Sequence, residues 1–121
     1  MKKFIQESTP KFQSKTTKDF GLLGENIAWK FLLEQGYSPI EKNWRCRLGE
    51  IDIVALKENT LCFVEVKTRW SIRYGQPEEA VTSRKISKIK KFAQYYSLTH
   101  PALPKKLAIV VIAIVFSGGE L

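Results

Sequence analysis

The chain holds one histidine, His100, and two cysteines, Cys46 and Cys62, among 121 residues. A Ser-His-Asp or Cys-His site would have to use His100, which stands before Pro101 in a turn and has no supporting motif. It reads as a surface residue rather than a base or a ligand. The cysteines form neither a CxxC nor a zinc spacing, so nothing suggests a disulfide scaffold or a structural zinc, and a reducing cytoplasm fits them best. The run Leu107 to Phe116 is apolar but too short to cross a bilayer as a helix, and its wealth of Val and Ile predicts a buried strand. The start lacks the uninterrupted apolar core of a secretory signal, and no membrane partner is expected. Acidic residues are few, 12 against 20 Lys and Arg, for a net charge of +8. Such a field attracts polyanions, nucleic acid first, although a merely soluble basic protein would look the same by charge.

With 44% hydrophobic residues, the chain can build one domain around one core. Residues 1–18 are polar and basic, with Lys2, Lys3, Lys11, Lys15 and Lys18 against Glu7, and read as a flexible arm that either touches phosphates or is simply solvated. Residues 19–121 read as a single domain. A helix is expected from Asp19, a reasonable N-cap, to Gly36, with Phe20, Leu23, Ile27 and Phe31 as its apolar stripe. Glu25 lies on another face with Trp29, either solvated or aimed at the acids described below. A strand over Tyr37–Arg47 follows, interrupted early by Pro39. Two more strands run from about 49 to 57 and from 60 to 69. Pro77 suits the first turn of a second helix reaching Ser97, and a last strand covers Lys106 to Phe116.

The chemistry concentrates in Gly49-Glu50-Ile51-Asp52-Ile53-Val54 and Phe63-Val64-Glu65-Val66-Lys67, read as a hairpin turning at Lys57-Glu58-Asn59-Thr60. If Lys57 pairs with Thr60, Asp52 stands opposite Glu65 and Glu50 opposite Lys67. Side chains alternate along a strand. One face then carries Ile51, Ile53, Ala55, Cys62, Val64 and Val66, all apolar. The other carries Val54, Leu56, Leu61 and Phe63 near the turn and Glu50, Asp52, Glu65 and Lys67 at the far end. Opposed carboxylates about 4.5–5.5 Å apart at Cβ repel, and one rises in pKa unless a cation joins them. A divalent ion held by oxygen ligands resolves the conflict, and Lys67 could neutralise it in part. The competing reading is a wet sheet face with an ordinary Glu50–Lys67 ion pair.

Two further features bear on a polyanionic partner. Between the hairpin and the second helix, Arg73, Tyr74 and Gly75 interleave aromatic and basic character in a loop. Along the helix Arg84, Lys88 and Lys91 form a basic ridge, widened by Lys85 and Lys90. Either feature could also be plain solvated surface.

The order of Gly24-Glu25 on a helix, then Gly49-Glu50-Ile51-Asp52, then Phe63-Val64-Glu65-Val66-Lys67-Thr68-Arg69, Tyr74-Gly75 and Glu79-Ala80-Val81 with Lys85, resembles the PD-(D/E)xK nuclease superfamily. More closely it resembles the YraN-like family of uncharacterised bacterial proteins, related in fold to archaeal Holliday-junction resolvases. The resemblance covers about residues 20 to 100. It departs at Lys106-Leu107-Ala108-Ile109, where relatives commonly carry an Arg-Phe-Asp type sequence.

The resemblance implies an α/β restriction-endonuclease-like core, a central mixed sheet flanked by helices in the order α-β-β-β-α-β. It implies a metal-dependent endonuclease acting on DNA, branched or otherwise structured, with a homodimer needed if two strands are cut symmetrically. Asp52 and Glu65 would hold Mg²⁺ or Mn²⁺ with the Val66 carbonyl, and Glu25 would reach the metal directly or through water. Lys67 would orient the attacking water. Arg69, Arg73, Tyr74 and Gln76, with Arg84, Lys85, Lys88 and Lys91, would hold the nucleic acid. The alternative is a nucleic-acid-binding module of the same fold without efficient cleavage.

Overall fold

Strands form where β-branched residues are dense, and the longest such run, β5 (Lys106–Ser117), lies inside the sheet. The computed structural model describes residues 2–8, 17–69 and 83–117. The other strands are β1 (Lys2–Ser8), β2 (Ser38–Cys46), β3 (Gly49–Lys57) and β4 (Thr60–Arg69), and the sheet order is β1-β5-β4-β3-β2. β1 and β4 each pair with β5 in parallel, while β4–β3 and β3–β2 are antiparallel. The helices are α1 (Thr17–Glu34) and α2 (Ser83–Thr99). The expected mixed sheet with flanking helices is what the chain builds, with one strand added before the α-β-β-β-α-β series.

That added strand corrects the reading of the first residues as an arm. Lys2–Ser8 lie along β5, in register from Lys2 opposite Val111 to Ser8 opposite Ser117. The reason is an accounting of hydrogen bonds: β5 is buried, and its second edge must find donors and acceptors. Ile5 packs on the core, and the Lys3 ammonium lies 5.9 Å from the Phe31 ring centre.

Each face of the sheet is covered by one helix. Ala28 and Leu32 of α1 pack on Ile53, Ala55, Cys62, Val64, Ile112 and Ile114. On the opposite face Ile89, Phe92, Ala93 and Tyr96 of α2 pack on Ile51, Val54, Leu61 and Phe63. α1 stops through a Schellman motif: Tyr37 N–H donates to the Leu32 carbonyl at 2.9 Å and Gly36 N–H to that of Leu33 at 3.2 Å. Gly36 sits at φ 87°, a conformation that costs a side-chain-bearing residue energy.

At Gly24 α1 comes so near the sheet that an added Cβ would collide with Thr68 Oγ1 on β4. Gly21, one turn earlier, has nothing within 4 Å of a built Cβ. Urea unfolding is expected to separate the two: Gly24→Ala loses about 1–3 kcal/mol through overpacking, whereas Gly21→Ala gains up to about 1 kcal/mol from helix propensity. Equal effects would show that α1 does not approach β4 at this point.

The hairpin register is the expected one, Lys57 opposite Thr60 through Ile53 opposite Val64. The residue at positive φ in its turn is Glu58, at 55°. Beyond Ile53 the alternation fails. Ile51 belongs to the α2 face although Ile53 belongs to the α1 face. β2 does the same: Lys42 bonds Asn26 of α1, while Trp44 packs under α2 against Phe92 and Tyr96. Residues two apart in a regular strand share a face, so both strands turn over between these positions. At the reversal stand Asn43, at φ 53°, and Asp52. The expected placement of Ile51 on one apolar face with Ile53 is therefore corrected. Bulge-like irregularities of this kind re-aim side chains beside functional sites.

Candidate active site

Where the β3–β4 ladder ends at Ile53–Val64, the Asp52 carboxylate takes the place of a main-chain acceptor. Val66 N–H donates to Asp52 Oδ2 at 2.7 Å. This holds Asp52 against β4 between Glu65 and Lys67. The Glu65 Oε1 atom receives two ammonium groups: Lys85 of α2 at 3.0 Å and Lys67 of its own strand at 3.4 Å. Glu65 is only 12% exposed and Lys67 19%, so this is a half-sheltered cluster rather than a wet face. Glu50 turns away to β2, where Arg45 Nε meets its Oε2 at 3.0 Å. The Glu50–Lys67 pair expected of an ordinary exposed face is replaced by Glu50–Arg45 and Glu65–Lys67.

The electrostatics follow from crowding and burial. Loss of water and then the Glu65 charge push the Asp52 carboxyl up to about 7, against the opposing Val66 N–H bond. Burial also raises Glu25 above the usual carboxylate range, with hydrogen bonding to Asn43 working the other way. Lys67 falls below the usual lysine range, first from burial and then from Lys85 beside it. Burial works to lower Lys85, yet it rises, because the neighbouring Glu65 and Asp52 carboxylates favour its charged form.

These donors suit a hard divalent cation such as Mg²⁺ or Mn²⁺. Asp52 and Glu65 supply carboxylate oxygens whose repulsion a cation would relieve. Glu25 Oε1 is buried with no hydrogen-bond partner among the described residues, a need that an ion or its water would meet. Among the described residues, however, no three Asp, Glu, His or Cys side chains form a ready metal-ligand group. Asp52 and Glu65 are thus the candidate direct pair, and Glu25 stands behind them.

The family model described as "Uncharacterised protein family UPF0102" matches residues 24–114, a span that holds Glu25, Asp52, Glu65, Lys67 and Lys85. The chain belongs to this family. It is the YraN-like family that the sequence resembles. A "UPF0102 protein" of Caldicellulosiruptor bescii is 44% identical over 103 residues, covering 85% of this chain and 87% of the relative. Another, from Syntrophomonas wolfei, is 42% identical over 103 residues, covering 85% and 90%. A third, from Clostridium botulinum strain Kyoto, is 54% identical over 79 residues, covering 65% and 64%.

Among the residues proposed from sequence, Asp52, Glu65, Val66, Lys67 and Lys85 meet at the end of the hairpin, and Glu25 approaches from α1. Arg84, Lys88 and Lys91 are exposed along α2 as expected of the ridge. Arg73, Tyr74 and Gln76 lie outside the described residues, and so does the side chain of Arg69. Both cysteines are free. No helix among the described residues is long and apolar enough to cross a membrane.

Sequence reasoning missed Asn43, which tempers Glu25. Its only signal was an Asn inside a strand, where that residue is depleted. His100 has a local structural role: its ring stacks on Tyr96 at 3.9 Å, and its Nδ1 lies 2.8 Å from the Tyr96 carbonyl.

Proposed function

We propose that the chain is a divalent-metal-dependent endonuclease of PD-(D/E)xK type that hydrolyses DNA phosphodiester bonds, with branched or otherwise structured DNA as its substrate. The observation that carries this reading is the Asp52–Glu65 pair. Two carboxylates are held in partial burial at the cost of raising Asp52 to about 7, with a lysine alongside. A bound Mg²⁺ or Mn²⁺ would polarise the scissile phosphate, promote ionisation of the attacking water and stabilise charge in the transition state. Asp52 and Glu65 would hold that ion together with the Val66 carbonyl, and Glu25 would act on it through an ordered water. Lys67, with its lowered proton affinity, would orient the attacking water. Arg84, Lys88 and Lys91 would grip backbone phosphates without reading sequence. Cutting both strands of a junction symmetrically would need a homodimer, and the setting would be the cytoplasm.

A second reading, a binding module without efficient cleavage, is favoured by the lack of a ready three-residue ligand group among the described residues. Incubating purified protein with linear, single-stranded and four-way-junction DNA, in Mg²⁺, Mn²⁺ or chelator, separates them. The nuclease reading expects metal-dependent cutting that falls about 100-fold or more in both Glu65→Ala and Lys67→Ala. Binding with a steep salt dependence and no cutting on any substrate would favour the module instead.

A further inference from the structure

Arg84, Lys88, Lys91 and Tyr95 are all exposed, and they share one flank of α2. Steps of four, three and four residues return each of them to nearly the same angle about the helix axis. The stripe they form is about 16 Å long. It begins beside Lys85, which reaches Glu65 at 3.0 Å, and it ends at an aromatic ring. Tyr95 is 43% exposed, and its ring centre lies 6.0 Å from that of Trp44 on β2. Trp44 is itself braced, edge-to-face on Phe92 at 5.8 Å and on Tyr96 at 5.0 Å. The Tyr95 ring is thus steadied from the β2 side and still accessible, which lets it take a stacking partner at little cost in conformational entropy.

Resting on the proposed function for the nature of the ligand, but not on the metal site, we propose that this stripe binds a single-stranded segment of DNA. Tyr95 stacks an unpaired base, and Arg84, Lys88 and Lys91 hold phosphates of the same strand. Charge complementarity commits the stripe to a polyanion. The ring narrows the choice. Paired bases keep their faces inside the duplex stack, whereas an unpaired base offers its face to an aromatic side chain. Unpaired bases arise at branch points and forks, so Tyr95 gives the proposed preference for structured DNA a physical basis. The other end of the stripe lies beside Lys85 and Glu65, so a strand anchored at Tyr95 is led toward the carboxylates.

Fluorescence anisotropy of the full chain with labelled DNA of about 15 nucleotides, in chelator so that no metal enters, tests this. Tyr95→Ala is expected to bind a single strand about five- to tenfold more weakly than the unaltered protein. Tyr95→Phe keeps the ring and is expected to lose less than about twofold. An abasic strand of equal length offers phosphates without bases, and Tyr95→Ala is expected to bind it as well as the unaltered protein does. The salt dependence separates the two kinds of contact: Lys91→Met should lower the slope of log Kd against log salt by about 0.7, and Tyr95→Ala should leave it unchanged. Should Tyr95→Ala fail to fold, Tyr95→Leu, which keeps apolar bulk beside Trp44 without the ring, carries the same expectation. A Tyr95 that only covers Trp44 would lower the melting temperature of Tyr95→Ala and leave its Kd unchanged, which overturns the proposal. Equal weakening of Tyr95→Ala on normal and abasic strands overturns it too. Absence of DNA binding in every protein, the unaltered one included, overturns the nucleic-acid reading and the stacking together. Base-dependent binding through Tyr95 in a protein that cuts nothing upholds the stacking and overturns the nuclease reading alone.

Discussion

Asp52→Asn is expected to unfold at a higher temperature than the unaltered protein at about pH 8, while losing metal-dependent cleavage by about 100-fold or more. The stability gain has a definite sign. Asp52 titrates near 7 in the folded protein, well above the ordinary range of an unfolded Asp. The folded state therefore holds this proton more firmly than the unfolded chain does. Stability is lost as pH rises from about 4 to about 7, and the loss is complete above that. The amide cannot ionise, yet its oxygen can still accept the Val66 N–H bond, so the variant escapes the loss without giving up the anchor. The full shift corresponds to about 4 kcal/mol, and water reaching the site cuts this to roughly 2 kcal/mol. Melting curves between about pH 4 and pH 8 should show the two proteins diverging as pH rises. Mn²⁺ should raise the melting temperature of the unaltered protein more at the upper end, where Asp52 is ionised, and should do so far less in the variant. A variant less stable than the unaltered protein at about pH 8 would mean that Asp52 serves chiefly as an anchor for β4 and is not a strained acid.

That strain was visible in the sequence because the hairpin could be registered from its turn. Lys57 and Thr60 pair as expected, and the ladder runs as far as Ile53–Val64, one step short of positions 52 and 65. What local sequence could not give was the reversal of faces at Asn43 and Asp52. A left-handed Asn inside a strand is fixed by the packing of Trp44 under α2 and of Lys42 beside α1, both distant in sequence. Lys85 shows a similar limit. Helical spacing grouped it with Arg84, Lys88 and Lys91 on a ridge, but about 100° of rotation separates neighbours on a helix. Which of them meets the sheet depends on how Ile89, Phe92 and Tyr96 seat α2 against Phe63 and Val54. β1 was hidden for a different reason. Its five polar and charged residues outweigh Phe4 and Ile5 in composition, and only the unsatisfied edge of β5 makes a strand of it.

Glu65→Gln should move stability the other way, although it too removes one negative charge from the same pair. Glu65 accepts two ammonium groups through one oxygen, and it is the more sheltered partner in both pairs. Its replacement leaves Lys67 and Lys85 facing each other across a neutral amide, in a place already dry enough to lower the proton affinity of Lys67. Breaking a fully buried pair costs about 3–5 kcal/mol, and this one is partly open to water, so a loss of about 1–3 kcal/mol is expected. Lys67 should then drop further below the usual lysine range. Because the folded state would bind that proton less firmly than the unfolded chain, the deficit should be largest near neutral pH and shrink as pH rises toward the usual lysine range. Removing Lys85 as well should restore part of the loss, and a double-mutant cycle over Glu65 and Lys85 reads the coupling directly. Opposite signs for Asp52→Asn and Glu65→Gln at about pH 8 would mark Asp52 as the carboxylate held against its own charge and Glu65 as the one that the lysines need. If Glu65→Gln proved as stable as the unaltered protein at every pH, Glu65 could not be the counter-ion of those lysines. The two acids would then be interchangeable by charge, and the distinct roles drawn for them at the metal site would fall.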